Sequence, residues 1–489
     1  MMGYSMSKHD LDPDKCDLTS GSSSSSGSSS ARGKNPLVNN NSNNKPLPSS
    51  FLDHDIAHLT HLRSAPPPDV LNRRLSPYSS TVRTVFGREA NLSGKGGRFS
   101  HSDRCHVMAR YLPVHGPYQV DQMDSRAYVS QFSVDGSLFV AGFQGSRIRI
   151  YNVERGWRVQ KDVLARSMGW AITDTSLSPD QRLLVYASIS PIVHVVNVGT
   201  SATESYANVT EIHDGLDLSV DGDGECNFGI FSVKFSTDGR EIVAGSNDEA
   251  IYLYDLEANK LTLRVSAHKN DVNTVCFADE TGHVIYSGGD DCLCKVWDRR
   301  CLNAKGQPSG VLVGHLEGIT FLDSRGDGRY LISNGKDQCT KLWDIRRMSS
   351  NDTCVTKIRR FDWDYRWMPY PPQARHLRHP CDQSLATYRG HSVLQTLIRC
   401  YFSPAHSTGQ KYIYTGSNDG NIYIYDVVTG DEVAKLEYHN DVVRDCSWHP
   451  EYPMLASSSW DGEIARWEFP GSEGVPKPVR RTRRRRAYF

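Results

Sequence analysis

Between about Arg104 and Phe469 the chain reads as short runs of alternating apolar and polar residues, each ended by a turn rich in Gly, Pro, Asn or Asp. Successive side chains of a strand face opposite sides, so this period of two predicts strands. Seven of the runs resemble one another: RIRIYNV, IVHVVNV, AIYLYDL, LCKVWDR, CTKLWDI, NIYIYDV and EIARWEF. Their shared anchor position is occupied by Tyr151, Val196, Tyr254, Trp297, Trp343, Tyr425 and Trp467. Consecutive anchors lie 45, 58, 43, 46, 82 and 42 residues apart, which places insertions at 199–229 and 347–389.

Each unit also repeats its turn chemistry, as in FSVDGSLFVAG, LSPDQRLLVYA and FSTDGREIVAG, where a D-G or Pro-containing turn joins two strands. A repeat of about 40 to 45 residues built from such hairpins is a propeller blade. The expected fold is therefore all-β, a seven-bladed WD-repeat β-propeller over 103–470. Beyond Trp467 no further strand is legible, so the last blade needs an outer strand from elsewhere, and Cys105–Leu112 (CHVMARYL) is expected to supply it.

Three units keep a polar quartet at fixed offsets: His268, Ser287, Asp291 and Trp297; His315, Ser333, Asp337 and Trp343; His439, Ser457, Asp461 and Trp467. The sixth unit spells it with variants, His391, Thr415, Asp419 and Tyr425. A Ser, His and Asp set suggests a hydrolase, yet catalysis needs one site and this set recurs in register. Buried polar groups that satisfy one another explain the recurrence, so the quartets are expected to be blade structure. No axial carboxylate or metal cluster is legible, and the protein is expected to be no enzyme and to bind no cofactor or metal. The first two units lack the turn Asp, and the third has Ala244 in place of the Ser.

Outside the repeats the composition changes. Residues 1–50 carry runs of Ser and Asn that cannot bury enough apolar surface to offset their ordering entropy, and disorder is expected. Over 51–102 a helical arm and linker is expected, with Leu52, Ile56, Leu59 and Leu62 at helical spacing before Pro66–Pro68. The tail, 471–489, gathers Lys477, Arg480, Arg481 and Arg483–Arg486 and reads as a nuclear-import signal or a nucleic-acid patch, import being the simpler role, which gives a nuclear and cytoplasmic expectation. Lys plus Arg and Asp plus Glu are equal at 56 each, so no overall field draws the chain to a membrane or to nucleic acid. The 12 cysteines show no zinc-knuckle spacing and read as reduced thiols. The acidic stretch GLDLSVDGDGEC from Gly215 resembles a calcium loop only superficially, since Phe228 falls where the bidentate Glu belongs.

In the fourth and fifth units the strand end continues as Trp297-Asp298-Arg299-Arg300 and Trp343-Asp344-Ile345-Arg346, both W-D-x-R. The stretches IYSGGDDCLCKVWDRR and LISNGKDQCTKLWDIR resemble the box of the WD-repeat substrate receptors of cullin-4 RING ubiquitin ligases. From about Phe51 to Phe469 the chain is similar to the LEC14B-type and DDB1- and cullin-4-associated factor eleven family. The resemblance implies a non-catalytic receptor that docks a DDB1-type propeller adaptor through Trp297, Asp298, Arg300, Trp343, Asp344 and Arg346. The helix of Leu52, Ile56, Leu59 and Leu62 is a second candidate for that contact, and the protein substrate stays unspecified. The insertion residues Trp363, Tyr365, Trp367 and Tyr370 are candidate substrate contacts, because aromatic side chains dominate binding hot spots. A general WD-repeat scaffold in a nuclear chromatin or RNA-processing complex is the alternative.

Overall fold

The computed structural model describes residues 104–469, apart from 106–107, 199–211, 220–227, 302–305 and 351–361. The calls on the Ser/Asn-rich region, the Leu52 to Leu62 helix and the basic tail lie outside the described residues.

The described strands, β1 to β28 in chain order, form seven four-stranded antiparallel sheets. Blade three shows the plan: β10 (Ile230–Phe235), β11 (Glu241–Ser246), β12 (Ala250–Asp255) and β13 (Lys260–Ser266) pair in sequence order from the axis outward. The innermost strands of adjacent blades pack side by side, β10 between β6 (Asp174–Leu177) and β14 (Val272–Phe277). Burial follows position. All six residues of β20 (Cys339–Asp344), third in blade five, are buried, whereas the outermost strand β13 alternates between exposed and covered.

Two faces result. One carries the turns between second and third strands and the links from blade to blade; we call it the upper face. The lower face carries the turns that join first to second and third to fourth strands.

Blade seven is assembled from both ends of the propeller. Its inner strands are β26 (Val443–Trp448), β27 (Met454–Ser459) and β28 (Glu463–Glu468), and its outer strand is β1 (His115–Gln122). Pairing runs from His115 opposite Glu468 to Gln122 opposite Glu463, which ties the first blade to the last and leaves no open sheet edge at the join. At the junction Met123 N donates to Gly462 O at 2.9 Å. Gly462 has φ +81°, and a Cβ there would stand 2.1 Å from the Met123 carbonyl oxygen, so this seam requires glycine.

Closure by Cys105–Leu112 is thereby corrected. Ala109 N donates to Cys105 O at 2.8 Å in a helical turn, and Ala109 packs into the core of blade six, where Tyr412 Oη donates to its carbonyl. The true closing strand, HGPYQVDQ, carries few apolar residues because an outermost strand is partly solvated on its whole length. The two insertions also hold structure: β9 (His213–Asp217) and β21 (Ala386–Tyr388) are the outer strands of blades two and five.

Candidate functional site: the lower rim of blades four and five

The rim is built on β16 (Leu293–Asp298) and β20, each third in its blade. Trp297 stands opposite Ile285 and Trp343 opposite Leu331, so both indoles point into the blade packing and are 2% and 0% exposed. Direct adaptor contact by these two tryptophans, and by Asp344, which is 1% exposed, is therefore corrected: they hold the strand, and the surface begins at the partly covered Asp298 in blade four and past Asp344 in blade five.

What anchors each indole is the quartet. Trp297 Nε1 donates to Ser287 Oγ (2.8 Å), which lies 2.8 Å from His268 Nε2, while His268 Nδ1 lies 2.8 Å from Asp291. The carboxylate only accepts, so Nδ1 carries the proton and the Ser hydroxyl donates to Nε2. Burial holds the His268 imidazole below its ordinary pKa against the pull of Asp291, so the ring is neutral. Blade five repeats the chain through Trp343, Ser333, His315 and Asp337 at 2.7, 2.6 and 3.1 Å. Burial alone would raise the Asp337 carboxyl, but the attraction and hydrogen bond of His315, with Lys341 nearby, hold it well below the carboxylate range. Blade seven uses Trp467, Ser457, His439 and Asp461 at 3.3, 2.8 and 3.1 Å. The Ser, His and Asp connections match those of a hydrolase triad, but Ser287, Ser333 and Ser457 are each fully buried and each hydroxyl also accepts an indole N–H, so none of the three faces solvent.

Blade six departs from this pattern. Its His391 Nδ1 lies 3.1 Å from Tyr425 Oη and its Nε2 3.0 Å from Asn334 Oδ1, the opposite tautomer. Thr415 donates to Arg399 O and Asp419 accepts from Tyr423 Oη, so the expected His391, Thr415 and Asp419 set does not assemble. A phenol reaches farther than an indole N–H, and Tyr425 takes the imidazole nitrogen that an Asp takes elsewhere. In blade three Asp248 instead gathers Ser246, Tyr252 and Arg264.

At the rim itself each Asp does two jobs. Asp298 accepts Arg300 N at 3.0 Å, tightening the turn, and receives the Arg300 fork through Nε (2.9 Å) and Nη2 (2.7 Å). Those hydrogen bonds hold the Asp298 carboxyl down at about 2 and push the Arg300 guanidinium up. Asp344 caps a 3-10 turn over Ile345–Arg347, accepting Arg346 N at 3.0 Å, and binds Arg346 Nη2 and Arg329 Nη2, each at 3.0 Å. The side chains of Arg300 and Arg346 remain 62% and 55% exposed. Arg299, in the x position, turns away and forms a bidentate pair with Glu241 of blade three at 2.7 and 2.8 Å. Two oriented forks on adjacent blades suit carbonyl or carboxylate acceptors.

The insertion candidates divide. Trp363 donates its Nε1 to Met368 O and packs edge-on against Tyr370, which is 5% exposed. Lys336 Nζ sits 4.0 Å over the Tyr365 ring, and the Tyr365 carbonyl accepts Gln395 N. Trp363, Tyr365 and Tyr370 thus fix the insertion to the blade, while Trp367, 85% exposed, is the one of the four that solvent reaches freely.

The sequence reading missed a charged axial plug. Arg399 of blade six reaches Asp174 of blade two (2.9 Å) and Asp445 of blade seven (3.3 Å), and Lys234 adds a second cation on Asp174 (3.0 Å). Axial carboxylates do converge, contrary to expectation, but these cations and backbone N–H groups saturate them. The available signal was charge at the beginnings of innermost strands, in TDTSL, RCYF and RDCSW. Among the described residues, His315, Asp337 and Cys339, and His439, Asp461 and Glu463, bring three ligand types together within 4.8 Å. Both groups spend their His and Asp atoms on each other, so neither offers an open donor set. The nine cysteines among the described residues are free thiols.

Comparison with known proteins agrees with this architecture. The model for "WD domain, G-beta repeat" matches residues 220–255, 259–298, 306–344, 382–426 and 430–468, which leaves out the two early blades that lack the quartet. LEC14B protein of Lithospermum erythrorhizon is 62% identical over 97% of this chain and 98% of its own length. The LEC14B homolog of Prunus armeniaca is 67% identical over 90% of the chain and 92% of its length. The DDB1- and CUL4-associated factor 11 homolog of Caenorhabditis elegans is 36% identical over 83% of the chain and 72% of its length. With its seven blades and these full-length relatives, the chain belongs to the WD-repeat family of LEC14B and the DDB1- and CUL4-associated factor 11 homologs.

Proposed function

We propose that this protein is a non-catalytic substrate receptor of a cullin-4 RING ubiquitin ligase, docking a DDB1-type adaptor on the lower rim of blades four and five. The observation that carries the reading is the pair of exposed Arg forks, Arg300 and Arg346, each oriented by the Asp two residues before it. The names of the nematode relatives, DDB1- and CUL4-associated factor 11 homologs, support the same assignment. The receptor transfers no ubiquitin; it holds substrate near the ligase's catalytic subunit. Tagged wild-type protein should co-purify the adaptor and cullin from cells, and the Arg300→Ala, Arg346→Ala double variant should lose both while keeping its level and melting temperature. Undiminished co-purification would refute the docking mode. The basic tail is assigned to nuclear import, and a fluorescent fusion lacking residues 477–489 should shift to the cytoplasm.

A further inference from the structure

A belt of aromatic contacts crosses the upper face, opposite the two Arg forks. It starts at Trp170, 59% exposed in the link between blades one and two, whose Nε1 donates to Tyr128 Oη at 3.4 Å. The Tyr128 ring packs on Trp460, in the upper turn of blade seven, with centroids 5.6 Å apart. Trp460 adjoins the cluster of Val393, Ile398 and Val442, which brings the belt to the link between blades five and six. In that same link Gln395 N donates to the Tyr365 carbonyl, and two residues on stands Trp367, its indole 85% exposed on a turn clamped by Trp363 and Tyr370. Half-exposed Met368 follows it.

Cations lie on the rings of this belt. Arg126 stacks 4.3 Å over Trp460, Lys336 4.0 Å over Tyr365 and buried Arg444 5.3 Å over Tyr128. Arg126 is exposed, with its guanidinium on the Trp460 face and its carbonyl accepting Gln144 N at 2.9 Å. Arg366, beside Trp367, pairs with Asp364 at 3.1 Å, while Arg375 and Arg378 farther along the insertion are exposed; across Asp362–His379 three Arg stand against the carboxylates of Asp362 and Asp364. An exposed indole on a rigid turn loses little entropy on binding, and a guanidinium already lying on a ring presents its edge to an anion.

We infer that this upper-face belt is the substrate-docking surface and that its ligand is an acidic peptide segment bearing bulky apolar side chains. The inference rests on the receptor reading for the word substrate; the surface and its ligand chemistry stand on the contacts just given. β20 is six residues long, so Trp367 and Arg346 lie at opposite ends of one blade, roughly 20 Å apart along the strand. Adaptor on the lower rim leaves the belt open.

The test uses full-length protein. A phage-displayed library of random dodecapeptides is selected on wild type, and the enriched peptides are synthesised with a fluorophore for anisotropy titration. Enriched peptides should place Asp or Glu beside Leu, Phe or Trp. Trp367→Ala and Arg126→Glu, both at exposed positions, should each weaken binding at least tenfold with unchanged melting temperature, and the Arg300→Ala, Arg346→Ala variant should bind as wild type does. No enrichment, basic peptides, or affinity insensitive to both belt variants would overturn the inference. Labelled oligouridine, titrated in parallel, should not bind; binding that needs the same two residues would assign the belt to single-stranded RNA instead. Trp367→Ala should retain the adaptor. Loss of adaptor binding by wild type alone would refute the receptor reading and leave the belt standing.

Discussion

Blades four and five share their interior with blade seven and differ from it at the rim. All three bury a Trp, Ser, His and Asp chain of hydrogen bonds. Past the tryptophan, however, blade seven continues Glu468-Phe469-Pro470, where the others continue into Asp-x-Arg. The same interior therefore forms with or without an Arg at the corner. That separates two features that one motif spells together: the quartet holds a blade, and the rim Arg is not needed for that task.

The comparison breaks first, and most heavily, in the interior. Asp337→Ala leaves the His315 Nδ1–H and the Leu316 N–H without their acceptor in a fully buried site, and should cost about 2 to 5 kcal/mol, at about 1 to 3 for each stranded donor. Asp461→Ala in blade seven should fall in the same range, because it also supports His439 and Asn440 N. Thermal melts of both variants measure this. A large loss in blade five with none in blade seven would show that the interiors are not equivalent.

Blade six sharpens the contrast through pH. Burial holds the His391 imidazole at about 4, against 6.5 for a solvated His. The unfolded chain thus takes up a proton that the folded blade refuses, so His391 favours folding fully above pH 6.5 and progressively loses that contribution as pH falls toward 4. The span corresponds to about 3 kcal/mol. His391→Gln should flatten the fall in stability over that interval, read from denaturant melts at several pH values; an unchanged slope would refute the assignment. A smaller effect is expected of Thr415→Ala, about 1 kcal/mol, since its hydroxyl serves the Arg399 carbonyl and no imidazole. Least of all should Arg300→Ala and Arg346→Ala disturb folding, leaving the melting temperature unchanged, as exposed ion pairs contribute little.

Blade count was legible in the chain because each unit repeats its turn and anchor, and one register then fixes every side chain's face. The closing strand was hidden by the same logic: β1 lies on the outside, where alternation fades, so CHVMARYL looked more strand-like than HGPYQVDQ. Blade six misled because Thr415 and Asp419 occupy the right register, while the choice of partner is made by Tyr425, a residue the pattern treats as equivalent to Trp. The rim sequence was plain, yet only packing separates its buried tryptophans from its exposed arginines. Nothing periodic announces the axial plug, which joins residues 225 positions apart, Asp174 and Arg399.

The measurement that bears most directly on the adaptor assignment is a binding titration with purified DDB1-type adaptor by biolayer interferometry. Wild type and Arg240→Ala, an exposed Arg of the same lower face in blade three, should bind alike, whereas Arg300→Ala with Arg346→Ala should weaken affinity at least about thirtyfold through loss of two charge-assisted contacts. Equal affinity for all three proteins would contradict the account.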